Sequence, residues 1–281
     1  MPALDAERKT VSRSEGEHST FLLPVLFLFL SLIFNFVLSA LLIFFFRKCK
    51  PLTLRIIVGI AWLIIVGFEI GKQINWCYTS LVTRQFGKIN LGAFPFAICS
   101  LPYYIWPLFI FLPESRFRTI VSVLIGVYIF FPALGFQFYP GTLGQRVFIN
   151  HQTMIHHGLQ LCISLLIFVH EFEKFTFKDF LWSSLGMVIL SLIAILLNII
   201  LTKNYDVRNM NLWELSPIEG HESIYSPYKD VLKIVPYPIY YIIYMLLLTG
   251  IGAISYFLVG GTIKFISGNN DGTEIQLEFG E

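Results

Sequence analysis

Residues 21–46 read FLLPVLFLFLSLIFNFVLSALLIFFF, 26 residues without a charge, closed by the basic RKCK at 47–50. A helix needs about 20 apolar residues to cross the hydrocarbon core of a bilayer. The run exceeds the apolar core of a signal peptide and carries no small-residue cleavage pattern, so it reads as a retained membrane span. Six further apolar stretches follow, at 54–70, 93–112, 119–138, 153–172, 180–202 and 237–259. Prolines 95, 102 and 107 interrupt the stretch at 93–112. Water is absent from the bilayer core, so each stretch must satisfy its own backbone and is predicted to be a helix. The expected fold is an all-α polytopic membrane protein, a bundle of seven transmembrane helices.

Composition agrees. Of the 281 residues 56% are hydrophobic and only 14% charged, against about 25% charged in soluble domains. That excludes an ordinary water-soluble enzyme. A net charge of +2 provides no basic field for nucleic acid; the partners implied are membrane lipids, and oligomeric state is left open. Residues 1–20 are polar and mixed in charge and are expected to be a disordered tail, 21–260 the transmembrane domain, and 261–281 an acidic tail. The loop at 203–236, with Trp213 and several prolines, is expected on the membrane surface. The short first loop holds Arg47, Lys48, Lys50 and Arg55, which favours a cytosolic position for it. Localisation is multi-pass integral membrane, in an endomembrane such as the endoplasmic reticulum for a eukaryotic chain and the plasma membrane for a bacterial one.

Direction of travel sorts the polar residues. Spans two, four and six end on the face where spans three and five begin. Glu69, Lys72, Cys99, Gln137, Tyr139, His151, His156, His157, Gln160, Asn204 and Tyr205 therefore share one membrane face. Polar groups inside spans are costly and mark function by default. With Pro95 opening the third helix, Cys99 is predicted within about two turns of a helix N-terminus, where the backbone dipole favours a thiolate. A small apolar cysteine packed between helices is the competing reading.

His156 and His157 diverge by about 100° around a helix, so they face different neighbours. Gln160, one turn on, can orient a ring by hydrogen bonding; the competing reading makes the pair interfacial polar residues. No metal or cofactor is called for. His156 and His170 lie about 21 Å apart along a helix and cannot share a zinc ion, and no HExxH cluster occurs. The four cysteines, Cys49, Cys77, Cys99 and Cys162, have no paired spacing, which argues against a disulfide framework.

FPFAICSLP at 94–102, HQTMIHHGLQL at 151–161 and the Asn204–Tyr205 pair fall in an order that resembles the YwaF-like and transmembrane protein 164 family of integral membrane proteins. The resemblance covers roughly Leu54 to Tyr256 and implies a seven-helix protein. It also implies an acyltransferase that moves a fatty acyl chain between phospholipids through a Cys-His dyad. The cysteine maps onto Cys99. The histidine maps onto the His156/His157 pair, with His157 slightly preferred. Where the family pattern has a histidine two residues before the cysteine, this chain has Ala97.

The expected function is thus a membrane-embedded acyltransferase or lipid hydrolase acting on phospholipid acyl chains. Cys99 would be the nucleophile, His157 or His156 the base, and Gln160, Asn204 and Tyr205 substrate-binding residues. The alternative is a non-enzymatic small-molecule transporter or receptor-like bundle, with the polar residues forming a vestibule. A scaffold, whose polar residues only join helices, is a third reading.

Overall fold

The computed structural model describes residues 26, 28–82, 95–138, 147–205, 211–217, 231 and 234–271. Among them every regular element is a helix. Helix α1 (Leu28–Phe46) turns tightly into α2 (Pro51–Val82), whose opening proline sits where a helix needs no amide donor. A 3₁₀ turn, Ile98–Ser100, leads into α3 (Pro102–Phe111). Then α4 (Arg116–Leu124), a π-helical turn (Ile125–Ile129) and α5 (Phe130–Gln137) run on as one span. Helix α6 is Val147–Glu171, α7 is Phe177–Tyr205 and α8 is Tyr237–Asp271.

Six of these spans are long and apolar enough to cross a membrane, and the stretch Ile98–Phe111 is a shorter apolar helix. The protein is a multi-pass membrane bundle of about seven helices, as the hydropathy implied. The tail at 1–20 and residues 272–281 lie outside the described residues, as does Tyr139.

Burial sets the plan of the bundle. In α6 67% of the span is buried within the protein, and 56% in α4–α5, against 17–22% in α1, α2, α7 and α8. Helix α6 is therefore the central post. Phe34, Phe44, Leu63, Leu196 and Leu246 point outward from the peripheral helices, which is where lipid chains replace a protein neighbour. Close packing against α6 depends on glycine: a Cβ on Gly126, in the π-helical turn, would stand 2.5 Å from the Phe168 ring.

The stretch at 93–112 departs from its expected form. Pro102 does not kink a helix already under way; it is the first residue of α3. Cys99 accordingly lies in the 3₁₀ turn before the helix rather than inside its first two turns.

Candidate functional site

Pro102 explains the local geometry at Cys99. In a 3₁₀ turn each carbonyl accepts from the amide three residues on, as Ala97 O does from Ser100 and Ile98 O from Leu101. The next carbonyl, that of Cys99, would need an amide proton from residue 102, and proline has none. A carbonyl left unpaired inside the protein costs about 1–3 kcal/mol. Two side chains of α6 supply the partners instead: His156 Nε2 lies 2.8 Å from Cys99 O, and Gln160 Nε2 donates to the same oxygen at 2.5 Å. Gln160 also touches the His156 ring. These contacts join segments 57 and 61 residues apart.

The other edge of His156 meets α3 and, through it, α2. Its Nδ1 lies 3.2 Å from Tyr103 Oη, which is 3.0 Å from Glu69 Oε2. Gln73 donates to Glu69 Oε1 at 2.7 Å, and the Lys72 ammonium pairs with Glu69 Oε2 at 2.6 Å. Glu69 and Lys72 thus form an i,i+3 ion pair, with the carboxylate engaged in a larger network. Trp62 Nε1 donates to Tyr103 O at 3.1 Å and ties α2 to α3. His156 is 4% exposed and Gln160 fully buried.

His157 faces elsewhere, as the helical spacing required. Its Nδ1 lies 2.7 Å from Thr153 O, and its ring stacks on Phe136 with centroids 4.1 Å apart. Among the described residues its Nε2 is buried without a hydrogen-bond partner. The structure therefore brings His156, and not His157, to the Cys99 turn. The contact is to the Cys99 carbonyl and not to its sulfur.

Gln137 joins a second polar contact, accepting from Asn35 Nδ2 of α1 at 3.3 Å. Asn35 presses on Gly158, where a Cβ would meet its side chain at 2.5 Å. Exposed His151 bonds to its own helix at Val147 O. Asn204 and Tyr205 close α7, and their side chains lie outside the described residues.

Trp213, expected on the membrane surface, is instead buried at 4% exposure. Its Nε1 donates to Phe96 O at 2.8 Å, and its ring stacks on Phe96, three residues before Cys99. Asn198 of α7 clamps the same loop, accepting from Leu212 N at 2.8 Å and donating to Leu212 O at 3.1 Å. Trp213 and Glu214 hold φ of 62° and 58°, a left-handed conformation that non-glycine residues keep only when neighbours enforce it. Asn198→Leu removes both bonds while keeping the branched outline of the side chain. It is expected to cost about 2–3 kcal/mol and to shift Trp213 fluorescence to the red; unchanged stability and emission would mean that the clamp is dispensable.

A separate ionic cluster lies at the far end of α6. Arg118 pairs with Glu114 and, at 3.8 Å, with Glu171, which also meets Lys174 at 2.7 Å and His170 at 3.1 Å. Arg116 pairs with buried Asp179 at 2.6 Å. Among the described residues no three His, Cys, Asp or Glu side chains are grouped as metal ligands.

Sequence reasoning did not single out Tyr103, Asn35, Asn198 or Arg118. Tyr103 was concealed in the aromatic run PYYIWP, although its position one residue after Pro102 was a usable signal. A model of the TMEM164 family matches residues 17–256. No curated protein and no solved structure matches the chain.

Proposed function

The chain belongs to the TMEM164 family, and on that premise we propose that it is a membrane-embedded acyltransferase or lipid hydrolase acting on phospholipid acyl chains, with Cys99 as nucleophile and His156 as base. One observation carries the reading: His156 and Gln160 of the central helix converge on the backbone of Cys99. Nucleophile and base then belong to elements locked together by buried hydrogen bonds, as such chemistry requires.

The thiol proton passes to His156, and the thiolate adds to an acyl ester carbonyl. The ester C–O bond breaks, the imidazolium returns its proton to the lysophospholipid oxygen, and the acyl group remains on sulfur as a thioester. A second lysophospholipid hydroxyl, deprotonated by His156, attacks the thioester in transfer, and water does so in hydrolysis; the C–S bond breaks and the imidazolium returns its proton to the Cys99 sulfur. Gln160 holds the turn, and Asn204 and Tyr205 are kept as headgroup contacts.

The test is intact-protein mass spectrometry after incubation with mixed phospholipids and a rapid quench. A hydroxylamine-labile acyl adduct on Cys99, absent in Cys99→Ala, is the expected result. Folded wild-type protein that forms no adduct would sink the mechanism and favour a binding or transport role for the same polar residues.

A further inference from the structure

His156 is the one imidazole of the site with an oxygen at each ring nitrogen. Cys99 O lies 2.8 Å from Nε2 and Tyr103 Oη lies 3.2 Å from Nδ1. A carbonyl oxygen only accepts, so the Nε2 contact is favourable when Nε2 carries a proton. Tyr103 has a single hydroxyl proton and two neighbours that can take it, Glu69 Oε2 at 3.0 Å and His156 Nδ1.

The proton count decides what the arrangement suits. With one proton on the ring, either the bare Nε2 faces a carbonyl oxygen or the bare Nδ1 competes with Glu69 for the tyrosine proton. With a proton on both nitrogens, the three oxygen contacts each pair one donor with one acceptor: Nε2–H meets Cys99 O, Nδ1–H meets Tyr103 Oη, and Tyr103 O–H meets Glu69. The Gln160 amide nitrogen, a donor that also touches Nε2, then donates to Cys99 O alone. The oxygens around His156 thus match the imidazolium, the form that exists only after the ring has taken a proton. Groups complementary to charge that develops during a reaction speed it, whereas groups complementary to the resting state do not.

We propose that Glu69 and Tyr103 are positioning residues: a carboxylate acting through a tyrosine hydroxyl orients His156 and stabilises its protonated form, so that the ring can take the Cys99 proton. This rests on the assignment of His156 as the base. The carboxylate stands one residue further from the imidazole than in a direct acid–histidine pair. Lys72 at 2.6 Å and Gln73 at 2.7 Å hold the Glu69 carboxyl in place. The groups facing His156 are Tyr103 of α3, Cys99 of the 3₁₀ turn, and His157 and Gln160 of its own helix. Glu69 and Lys72 of α2 act through Tyr103.

Cysteine alkylation tests this without any acyl substrate. Full-length protein in dodecyl maltoside micelles, which carry no acyl ester, is treated with iodoacetamide from pH 6 to 10, and the Cys99 peptide is followed by mass spectrometry. Cys49 is an internal reference, because its burial pushes the thiol pKa up. Glu69→Gln and Tyr103→Phe keep the shape of the site. Each is expected to move the Cys99 profile about one unit toward alkaline pH, roughly a tenfold slower reaction at neutrality. The double variant should shift no further than either single one, and neither change should act in a His156→Gln background.

Profiles that superimpose on the wild type, in variants with unchanged melting temperature, overturn the relay. So does an equal shift in the His156→Gln background, which would mark a general electrostatic effect. Should Tyr103→Phe melt early, Glu69→Gln alone decides. A normal relay signature with no acyl adduct would overturn acyl transfer and leave the relay standing; an adduct with unmoved profiles would do the reverse.

Discussion

His156→Ala is expected to lower acyl transfer between phospholipids by about 10²–10⁴-fold, the usual loss when a general base is removed, while His157→Ala retains most of the activity. The two residues are chain neighbours with the same ring, so composition cannot explain a difference between them. Their surroundings can. His156 faces Cys99 on one edge and the Tyr103–Glu69 pair on the other. His157 bonds to its own helix at Thr153 O and lies flat on Phe136. Loss of that stacked ring leaves a cavity and should lower thermal stability, as core truncations do. The measurement is movement of a labelled acyl chain in vesicles, paired with a melting curve for each variant. The reverse order of activities would reassign the base to His157, and equal losses without unfolding would remove both from the chemistry.

Arg118→Met is expected to destabilise the protein by about 3–5 kcal/mol, the loss typical when one partner leaves a buried ion pair. Arg118 is 2% exposed, and so is Glu171, the carboxylate it faces at 3.8 Å. The guanidinium also lies over the Phe109 ring, 4.5 Å from its centroid, so the change removes a cation–π contact as well. Glu171 keeps Lys174 and His170, which places the loss toward the lower end of the range. Arg118→Met combined with Glu171→Met should recover much of it, because a buried pair replaced by apolar side chains no longer leaves a stranded charge. Denaturation in detergent or bicelles measures both. A double variant no more stable than Arg118→Met alone would mean that the pair contributes more than its desolvation costs.

Much of the fold was legible because a bilayer imposes one rule on every span. Length and apolarity located the long helices, and direction of travel alone assigned Glu69, Cys99, His156 and Gln160 to the same end, where the structure joins them. Pro102 was misread because proline breaks a helix from within but opens one from its first turn, and sequence does not say which turn it occupies. Tyr103 was lost among aromatics that interfaces attract for unspecific reasons. Trp213 was assigned to the surface on the same general preference, whereas Phe96 and the Asn198 clamp hold it inside. Asn35 stood with Ser31 and Ser39 in an otherwise apolar run, and its partner Gln137 lies 102 residues away on α5, beyond the reach of local pattern. Which of two adjacent histidines meets the cysteine turn depends on the rotation of α6 about its axis, and that is fixed by contacts scattered along 25 residues.

The brevity of α3 has a consequence for the surrounding lipid. Its 10 residues span about 15 Å, half of a hydrocarbon core that is about 30 Å thick. Tyr104, Leu108 and Phe111 nevertheless point outward from it. Acyl chains beside this helix meet an apolar wall that stops well short of a full bilayer, and hydrophobic mismatch of this kind thins the membrane locally. Wherever the bilayer thins to match α3, headgroups would be drawn inward toward the Cys99 turn, at the start of this short helix.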